Sequence, residues 1–586
     1  MSNILIKTVR INGFRGLKNI EVELEQTTVL TGMNNAGKTS FLKALQIVFG
    51  NRHFITQDDF LIENGSSVEK IIIDILIVPM ENGIEVKDFL EEWERLFTTS
   101  RLKDDGEKSY IPLRTIITFD SIKTLYTTQQ YILDTWSDFQ HGGTYWYNIA
   151  NGDKNSFRFE EIPFFYMNAQ RDILDDLKSK SSYLGKMLSK IEYSPDALLD
   201  IEEKITALNE TAVNDSSILS DIRETLKDLD STIGSHNENI EITPFTKKVR
   251  DLNKGLTIYY GDEQDSFPME HHGMGTRSWS SLLTLKAFIE LLESNANDNP
   301  FFPILAVEEP ESHLHPNAQK KLYSQINSMS GQKIISTHSP YIAGVSKISE
   351  IRSFYKDGVV KCGKIDIESF GNEAIRKIDR QVIKSRGEIF FSKCLVLFEG
   401  ETEEQALPIF CEKYFVGKTS VELGIDFVGV GGFGNYLPFI RFAENLQIPW
   451  FIISDNDQNG EIKTSVINQF NNSPTDKEED DVLIFLNDEC DFEKELITDG
   501  FQDEIKKALI SIGDYYNEQH RATKENEINA YNDDELYEEM TIKGMKTKLA
   551  PHISYEVFIS EKSLPTKVVS LFERINTILN INEVTA

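Results

Sequence analysis

The sequence predicts an α/β fold with more than one domain, and three observations indicate it. A Gly-rich loop lies between a strand pattern and a helix pattern near the N-terminus, short apolar runs typical of buried parallel strands recur later, and a polar helical stretch interrupts them. At roughly 150 residues per domain, 586 residues are enough for several domains. Hydrophobic residues make up 40% and charged residues 26%, which excludes a disordered or fibrous chain.

The N-terminal part is predicted to begin with strands. ILIKTVRINGF and EVELEQTTVLTG both alternate, and the helical pattern TSFLKALQIVF follows the Gly-rich loop. The runs KIIIDILIVP, TIITF and TYWYNIA extend a β-rich region to about residue 165. The order strand, loop, helix is therefore predicted first, followed by further strands.

Residues 170 to about 241 are predicted to be helical. Apolar residues recur at three and four positions in ILDDLKSKSSYLGKML, LLDIEEKITALNE and ILSDIRETLKDLDSTI, with charges between them. The α/β pattern resumes near Thr257 and includes the apolar runs PILAVEE and KIISTHSP. The helical stretch is therefore an insertion.

A second α/β domain is predicted to begin near residue 386. A polar helical stretch over residues 377–393 precedes the apolar strand CLVLFEG, and NNSPTDKEEDD further on is predicted to be a loop. The predicted divisions are residues 1–169, 170–241, 242–385 and 386–586.

The net charge of −33 is spread unevenly. Residues 476–539 hold 22 acidic and 6 basic residues, whereas the first fifty hold six basic and three acidic. An even distribution would repel nucleic acid, so any contact with DNA must use local basic surfaces.

Other composition signals exclude several classes of protein. The four cysteines form no C-x-x-C pair, which argues against a disulfide framework or a cysteine zinc site. No apolar run reaches the ~20 residues of a membrane helix, and the N-terminus does not resemble a secretion signal. We expect a cytoplasmic protein without a membrane partner.

Residues 32–39 spell GMNNAGKT, which matches G-x-x-x-x-G-K-[ST] between a strand and a helix. The glycines let backbone N–H groups close around phosphates, Lys38 reaches the outer phosphates, and Thr39 can hold Mg²⁺. The candidate nucleotide-binding residues here are Gly32, Asn34, Asn35, Gly37, Lys38, Thr39 and Ser40.

Two further motifs fit the hydrolysis of a nucleotide. ILAVEEPESHLHP places Glu308 and Glu309 at a strand end, where the first carboxylate can bind the Mg²⁺ shell and the second can orient the attacking water. IISTHSP places His338 just past another strand, where an imidazole can sense the γ-phosphate.

The motifs INGFRG, GMNNAGKT, HHGMGTRS, ILAVEEPESHLHP and STHSP together resemble the ABC-type ATPase head of the RecF/SMC-like group. The resemblance implies that residues 273–278, with Gly275 and Ser278, complete the ATP site of a second subunit. It also implies that the helical insertion serves dimerisation and that two heads enclose two ATP molecules. Because Thr276 and Arg277 replace the usual serine-glycine form, the atom that meets the γ-phosphate stays open.

A second set of acidic residues follows apolar strand runs in the C-terminal part. Glu399 follows CLVLF and Glu403 lies one helical turn later, so both carboxylates can share a face. Asp455 and Asp457 follow PWFIIS. Strand ends of open α/β sheets bind ligands, and carboxylates there suit Mg²⁺ or Mn²⁺.

With the glycine turn VGVGGFGN between them, these four acidic residues resemble a Toprim domain, the metal-dependent module of topoisomerases, primases and certain nucleases. An ATPase head followed by Toprim resembles the OLD (overcoming lysogenization defect) family of ATPase-nucleases, which includes the Gabija nuclease and retron-associated effectors. In that family a later acidic element and a lysine complete the site, which implies Asp491, Glu493 and Lys548 here, with Lys546 as the alternative.

The resemblance implies an ATP-regulated, metal-dependent DNA endonuclease or nickase that defends against phage or mobile DNA. Its implied cofactors are ATP and Mg²⁺, with Mn²⁺ or Ca²⁺ as further candidates at the Toprim site. Its implied partners are DNA, further copies of this chain in a homodimer or higher oligomer, and either a helicase or a retron RNA/DNA with a reverse transcriptase.

Two alternatives stay open. One is a non-nucleolytic, DNA-binding ATPase that acts as a sensor or scaffold, and the other is a topoisomerase-like enzyme, which would need a tyrosine nucleophile outside Toprim. The sequence also leaves open whether ATP drives or restrains cleavage.

Overall fold

The computed structural model describes residues 2–49, 55–98, 100–139, 146–155, 160–179, 181–188, 194–222, 258–260, 267–296, 299–367, 371–383, 386–542 and 544–581. The chain splits into two compact units, the first of Met1–Phe159, Gln319–Asn327 and Gln332–Ala586, and the second of Glu160–Ala318 and Ser328–Gly331. No helix among the described residues is long and apolar enough to cross a membrane. The predicted division into four parts stays a prediction.

An antiparallel sheet forms the N-terminal part of the first unit. Asp74 and Arg114 lie opposite each other on neighbouring strands, and Nε and Nη2 of Arg114 donate to the Asp74 carboxylate at 2.8 and 2.7 Å. A slip in register would bury a charge without its partner, so this pair favours the observed pairing. The strand order is Asp153–Asn155, Leu125–Ile132, Ser109–Asp120, Lys70–Glu81, Ser2–Asn12 and Ile20–Glu23, with Ile84–Glu85 and Lys103–Asp104 paired beside it.

A second sheet of the first unit carries the Gly-rich loop. Its strands are Gln332–Ser336, Thr27–Gly32 and Ile351–Asp357, which are parallel, and Val359–Lys364, which is antiparallel. A short hairpin pairs Ile62–Glu63 with Ser66–Ser67. The helical segments of this part are Lys38–Val48, Gln57–Asp59, Glu91–Phe97, Trp146–Asn148, most of Pro316–Asn327, Pro340–Val345, Ile348–Glu350, Asn372–Ile378, Asp379–Ile383 and Gly387–Phe391.

The predicted Toprim region contains four parallel strands in the order Ile425–Gly429, Cys394–Phe398, Trp450–Ser454 and Leu483–Phe485. One hydrophobic core includes Ile351 of the preceding sheet, Leu397 of these strands and Phe572 near the C-terminus. The strands end at a common edge. The helical segments here are Glu401–Tyr414, Ser420–Leu423, Tyr436–Leu446, Gln458–Gly460, Glu461–Asn471, Glu479–Val482, Phe492–Thr498, Gln502–Ile512, Glu518–Asn529, Asp533–Thr541, Met545–Ile559 and Thr566–Leu579.

The second unit contains two small strand pairs and several helices. Phe164–Met167 pairs with Ile304–Glu308 in parallel, and Tyr259–Tyr260 pairs with Phe267–Pro268 in antiparallel orientation. Its helical segments are Ile173–Lys178, Tyr183–Leu188, Pro195–Asp215, Met269–His271 and Met274–Asn295. The first two predicted helical stretches are therefore observed, whereas most of ILSDIRETLKDLDSTI lies outside the described residues.

Two sequence predictions differ from the structure. The sequence predicts that TYWYNIA belongs to a β-rich region, but Trp146–Asn148 forms a 3-10 turn. Tertiary contacts cause this, because buried Trp146 donates to Asn19 at 2.8 Å and its carbonyl oxygen accepts from Arg114 at 2.9 Å. The predicted loop NNSPTDKEEDD ends in the short helix Glu479–Val482, whose acidic first turn suits a helix N-terminus.

Candidate functional site

The Gly-rich loop adopts a backbone that favours glycine at two positions. Gly32 has a φ of 119°, and a Cβ there would lie 2.0 Å from the carbonyl oxygen of Phe354. Gly37 has a φ of 100° at the N-cap of helix Lys38–Val48. The first turn of this helix presents N–H groups that have no partner within the helix, as phosphate-binding helix N-termini do.

Lys38 lies inside this loop rather than in solvent. Its side chain is buried, and Nζ donates to the carbonyl oxygens of Gly32 at 2.6 Å and Met33 at 3.0 Å. A phosphate group would offer the ammonium a stronger, charged acceptor at the same place. The other predicted phosphate-binding residues lie in the same loop and first turn: Asn34, Asn35, Thr39 and Ser40.

His338 lies beside Lys38 and also contacts the segment that leads into the predicted Toprim strands. Burial lowers the pKa of His338 to about 4, and the charge of Lys38 contributes, so the imidazole is neutral at pH 7. Its ring centroid lies 6.1 Å from that of Phe391. A Cβ on Gly387 would lie 2.2 Å from the carbonyl oxygen of Pro340. The His338 loop therefore packs directly against this segment.

Glu308 and Glu309 lie at a strand end in the second unit. The Tyr166 hydroxyl donates to Glu308 at 2.6 Å, and Glu309 has a left-handed φ of 43°. Arg171 donates to the carbonyl oxygens of Glu308 at 3.3 Å and Pro310 at 2.6 Å. Burial lowers the pKa of Arg171 to about 10. This arginine holds the turn that carries both predicted carboxylates, and no motif indicated it.

The predicted signature segment begins helix Met274–Asn295, also in the second unit. A Cβ on Gly275 would lie 2.5 Å from the carbonyl oxygen of His313, so the close approach requires glycine. The Oγ atom of Ser278 is buried without a hydrogen-bond partner.

Arg277 has a structural partner that accounts for its place in this segment. Its Nε donates to Oδ1 of Asp172 at 2.9 Å, and the two side chains form an ion pair. Asp172 also caps helix Ile173–Lys178 by accepting from the backbone N–H of Leu174. The arginine therefore ties the signature helix to the start of the helical insertion.

Four predicted carboxylates follow two adjacent parallel strands at one edge of the C-terminal sheet: Glu399, Glu403, Asp455 and Asp457. Glu403 is buried in the first turn of its helix, and a Cβ on Gly400 would lie 2.7 Å from its Oε2. The Ser454 hydroxyl donates to Oε1 of Glu399 at 2.6 Å. Parallel pairing thus brings together residues that are far apart in the sequence.

Asp491 and Glu493 lie near these carboxylates and share Lys546 as an ion-pair partner. Nζ of Lys546 lies 3.0 Å from Glu493 and 3.5 Å from Asp491. Thr402, which precedes Glu403, donates to Glu493 at 2.6 Å, and the Tyr537 hydroxyl donates to Asp491 at 3.0 Å. We call the six acidic residues the carboxylate cluster: Glu399, Glu403, Asp455, Asp457, Asp491 and Glu493.

The carboxylate cluster carries strong mutual repulsion. Burial raises the pKa of Asp455, and four neighbouring charges raise it further: Glu403, Glu399, Asp491 and Glu493. Burial also raises the pKa of Glu403, with Glu493 and Glu399 adding to the effect. The Oδ1 atoms of Asp455 and Asp457 are buried without hydrogen-bond partners. The cluster therefore favours added positive charge.

A divalent cation fits this donor set. Carboxylate oxygens are the ligands that Mg²⁺ and Mn²⁺ prefer, and the two unpartnered oxygens of Asp455 and Asp457 lack any other acceptor role. Within the described ranges, no three His, Cys, Asp or Glu side chains are already arranged to hold a metal ion. Binding would thus require the carboxylates to draw closer.

The structure reverses the preference between the two candidate lysines. Lys548 is exposed on helix Met545–Ile559, whereas Lys546 contacts the carboxylate cluster. Burial disfavours the charge of Lys546, but Glu493 and Asp491 outweigh it and raise its pKa. Residues two apart on a helix point about 200° apart, so only one of the two can face the cluster.

Sequence reasoning missed the hydroxyl groups that contact the carboxylates. Ser454 and Thr402 directly precede Asp455 and Glu403, so their adjacency to predicted site residues could have indicated them from the sequence. Tyr537 lies 46 residues from Asp491 and carried none.

Comparisons with known proteins match both parts of the chain. Residues 5–343 match the AAA ATPase domain family, and residues 390–457 match the Toprim domain of overcoming lysogenization defect protein-like proteins. The predicted ATP-site residues all lie within the first match, and four of the six acidic residues of the carboxylate cluster lie within the second.

Two curated relatives and one solved structure illustrate the similarity. The OLD nuclease of Thermus scotoductus is 23% identical over 478 residues, covering 77% of this chain and 82% of that protein. Endonuclease GajA of Bacillus cereus strain HuB5-5 is 23% identical over 549 residues, covering 78% and 74%. The C-terminal region of the Xanthomonas campestris pv. campestris OLD protein is 23% identical with a TM-score of 0.26, covering 33% of this chain and 97% of that one.

Proposed function

We propose that this chain, which belongs to the AAA ATPase domain family and carries an OLD-like Toprim domain, is an ATP-regulated, metal-dependent DNA endonuclease or nickase. The observation that carries the proposal is the carboxylate cluster, whose buried or half-buried acidic residues repel one another and contact Lys546. Repulsion of this kind costs stability, so it is expected where a function needs the charges.

The cluster residues have distinct roles in the proposed reaction. The carboxylate cluster would hold divalent cations beside the scissile phosphate, with ligands drawn from Glu399, Glu403, Asp455, Asp457, Asp491 and Glu493. Divalent cations held there would supply an activated water and would stabilise the leaving oxygen. Lys546, which contacts Glu493 and Asp491, would stabilise negative charge that develops on the phosphate.

The ATPase part has its own proposed division of roles. Lys38 binds the outer phosphates, Thr39 and Glu308 hold Mg²⁺, and Glu309 orients the attacking water. His338, neutral at pH 7, contacts the γ-phosphate. Gly275 and Ser278 complete the ATP site of a second copy of the chain, so a homodimer or higher oligomer is the active form.

We further propose that the substrate is phage or mobile DNA. This part rests on the resemblance to the OLD family, whereas the relatives named OLD nuclease and endonuclease GajA support the nuclease activity itself. A helicase, or a retron RNA/DNA with its reverse transcriptase, is a candidate partner, and the gene neighbours would distinguish these two cases.

Wild-type protein should convert supercoiled plasmid to nicked or linear DNA in Mg²⁺ or Mn²⁺, and EDTA should stop the conversion. Agarose gels would follow the products over time at fixed ionic strength, because DNA contacts weaken with salt. ATP hydrolysis without conversion in either metal would contradict the nuclease and support the sensor or scaffold instead.

Replacing Lys546 by alanine should reduce the initial rate of plasmid cleavage by roughly 10²-fold, because the developing charge loses its stabilising cation. Lys548→Ala is the matched control, since it removes an exposed lysine from the same helix turn. Its rate should stay within about twofold of wild type. Equal losses in both variants would show that the two lysines act as a basic surface.

A further inference from the structure

We propose that Tyr436 is a positioning residue of the carboxylate cluster, whose hydroxyl donates to Glu399 when that carboxylate holds a divalent cation. The inference rests on the proposed function and names a residue that no motif indicated. It concerns cation binding, which can be measured without cleavage.

Tyr436 is placed at the cluster by the glycine turn. It is the first residue of helix Tyr436–Leu446, directly after GGFGN, where Gly431 and Gly432 have positive φ values of 73° and 117°. Its side chain is 0% exposed. The strand before this turn pairs with Cys394–Phe398, and the N–H of Val430 donates to the carbonyl oxygen of Phe398 at 2.8 Å, so the turn begins beside Glu399.

The hydroxyl of Tyr436 is buried without a hydrogen-bond partner. Burial raises the pKa of Tyr436, and the charges that add to this effect are those of Glu399, Glu403 and Asp455. Burial raises the pKa of Glu399, while the hydroxyls of Ser454 and then Tyr436 act in the opposite direction. Ser454 also opposes the rise in the pKa of Tyr436, although the Tyr436 hydroxyl forms no hydrogen bond. The buried hydroxyl is therefore subject to the charge of Glu399, beside which the glycine turn begins.

Packing alone does not explain the hydroxyl. The ring belongs to the main hydrophobic core, where a phenylalanine would bury the same apolar surface without an unpartnered polar atom. An acceptor that forms on cation binding does explain it, because an ionised carboxylate is a strong hydrogen-bond acceptor.

Ser454 shows how the second donor would act. Its hydroxyl already donates to Oε1 of Glu399 at 2.6 Å. Donation from Tyr436 to the same carboxylate would fix its orientation from a second side, much as outer partners orient metal ligands elsewhere.

A nucleophilic role for Tyr436 does not fit. With no exposed surface, the hydroxyl cannot reach a DNA phosphodiester without opening the core around it. The tyrosine therefore acts through Glu399.

The test compares Tyr436→Phe with the matched control Tyr414→Phe, a buried tyrosine of the same core. Mn²⁺ binding to the full chain would be followed by calorimetry and by the metal-dependent rise in Tm, with circular dichroism as the check on folding. Tyr436→Phe should raise the half-saturating Mn²⁺ concentration about tenfold, or about 1.4 kcal/mol, while Tyr414→Phe should leave it unchanged. An unchanged Mn²⁺ midpoint in folded Tyr436→Phe, or equal shifts in both variants, would overturn the proposal.

Ser454→Ala keeps the proposal testable if Tyr436→Phe fails to fold. It removes the other donor to Glu399 and should shift the Mn²⁺ midpoint in the same direction, and no shift would overturn the proposed route through Glu399. Failure of the proposed function looks different, because wild-type protein would then bind no Mn²⁺ or would bind it without cleaving plasmid.

Discussion

Replacing Asp455 by asparagine should abolish plasmid cleavage, with a loss of roughly 10²–10³-fold or more. The change keeps the size of the side chain but removes a charge from the centre of the carboxylate cluster, where Asp455 interacts with four other acidic residues. Glu399→Gln should have an effect of the same order. The measurement is the initial rate of nicking in Mn²⁺, with protein concentration and salt held constant.

The same variant should be at least as stable as wild type in EDTA. Burial and then repulsion by neighbouring carboxylates raise the pKa of Asp455, and asparagine carries no charge to be buried or repelled, so the Tm without metal should stay the same or rise. Asp480→Asn is the matched control, because Asp480 is an exposed acidic residue of the same domain. Cleavage that persists in both Asp455→Asn and Glu399→Gln would remove the Toprim assignment.

The acidic residues at the strand ends could be predicted because the pattern that indicates them lies within a few consecutive residues. An apolar run followed by acidic residues marks the end of a buried strand, and parallel pairing then brings such ends together whatever their distance in sequence. Glu399 and Asp455 follow the neighbouring strands Cys394–Phe398 and Trp450–Ser454. The Gly-rich loop was predictable for the same reason, since Gly32 and Gly37 take backbone angles that other residues avoid.

Contacts between distant elements were not predictable in this way. The choice of Lys546 over Lys548 depends on the rotation of a helix against the cluster, and Trp146 forms a turn because Asn19 and Arg114 bind it. Tyr436 follows a glycine turn that was recognised, but the direction of its side chain depends on the packed core. Each of these is a property of tertiary structure.

The position of His338 also depends on tertiary structure. His338 responds to the charge of Lys38 on one side and lies against Phe391 on the other. Phe391 ends a short segment that leads into strand Cys394–Phe398, which Glu399 follows. The loop that carries His338 therefore lies between the phosphate-binding lysine and the segment that leads to Glu399, a placement that the sequence did not reveal.

Lys38→Ala should reduce ATP hydrolysis by roughly 10²-fold or more, because the outer phosphates lose their bound cation. The loop also loses the hydrogen bonds from Nζ to Gly32 and Met33, so ATP binding should weaken as well. Phosphate release at saturating ATP measures the first effect. Lys43→Ala, on the same helix, is the control and should hydrolyse ATP at close to the wild-type rate.

The same variant shows whether ATP drives or restrains cleavage. If ATP acts through the phosphate-binding loop, plasmid cleavage by Lys38→Ala should not change when ATP is added, whereas cleavage by wild type and by Lys43→Ala should change in one shared direction. If the rate of plasmid cleavage falls when ATP is added, ATP restrains the nuclease, and if the rate rises, ATP activates it. Hydrolysis at the wild-type rate in Lys38→Ala would contradict the assignment of residues 32–39 as the nucleotide site. The buried lysine would then serve only to hold the loop together, a role that ATP turnover does not require.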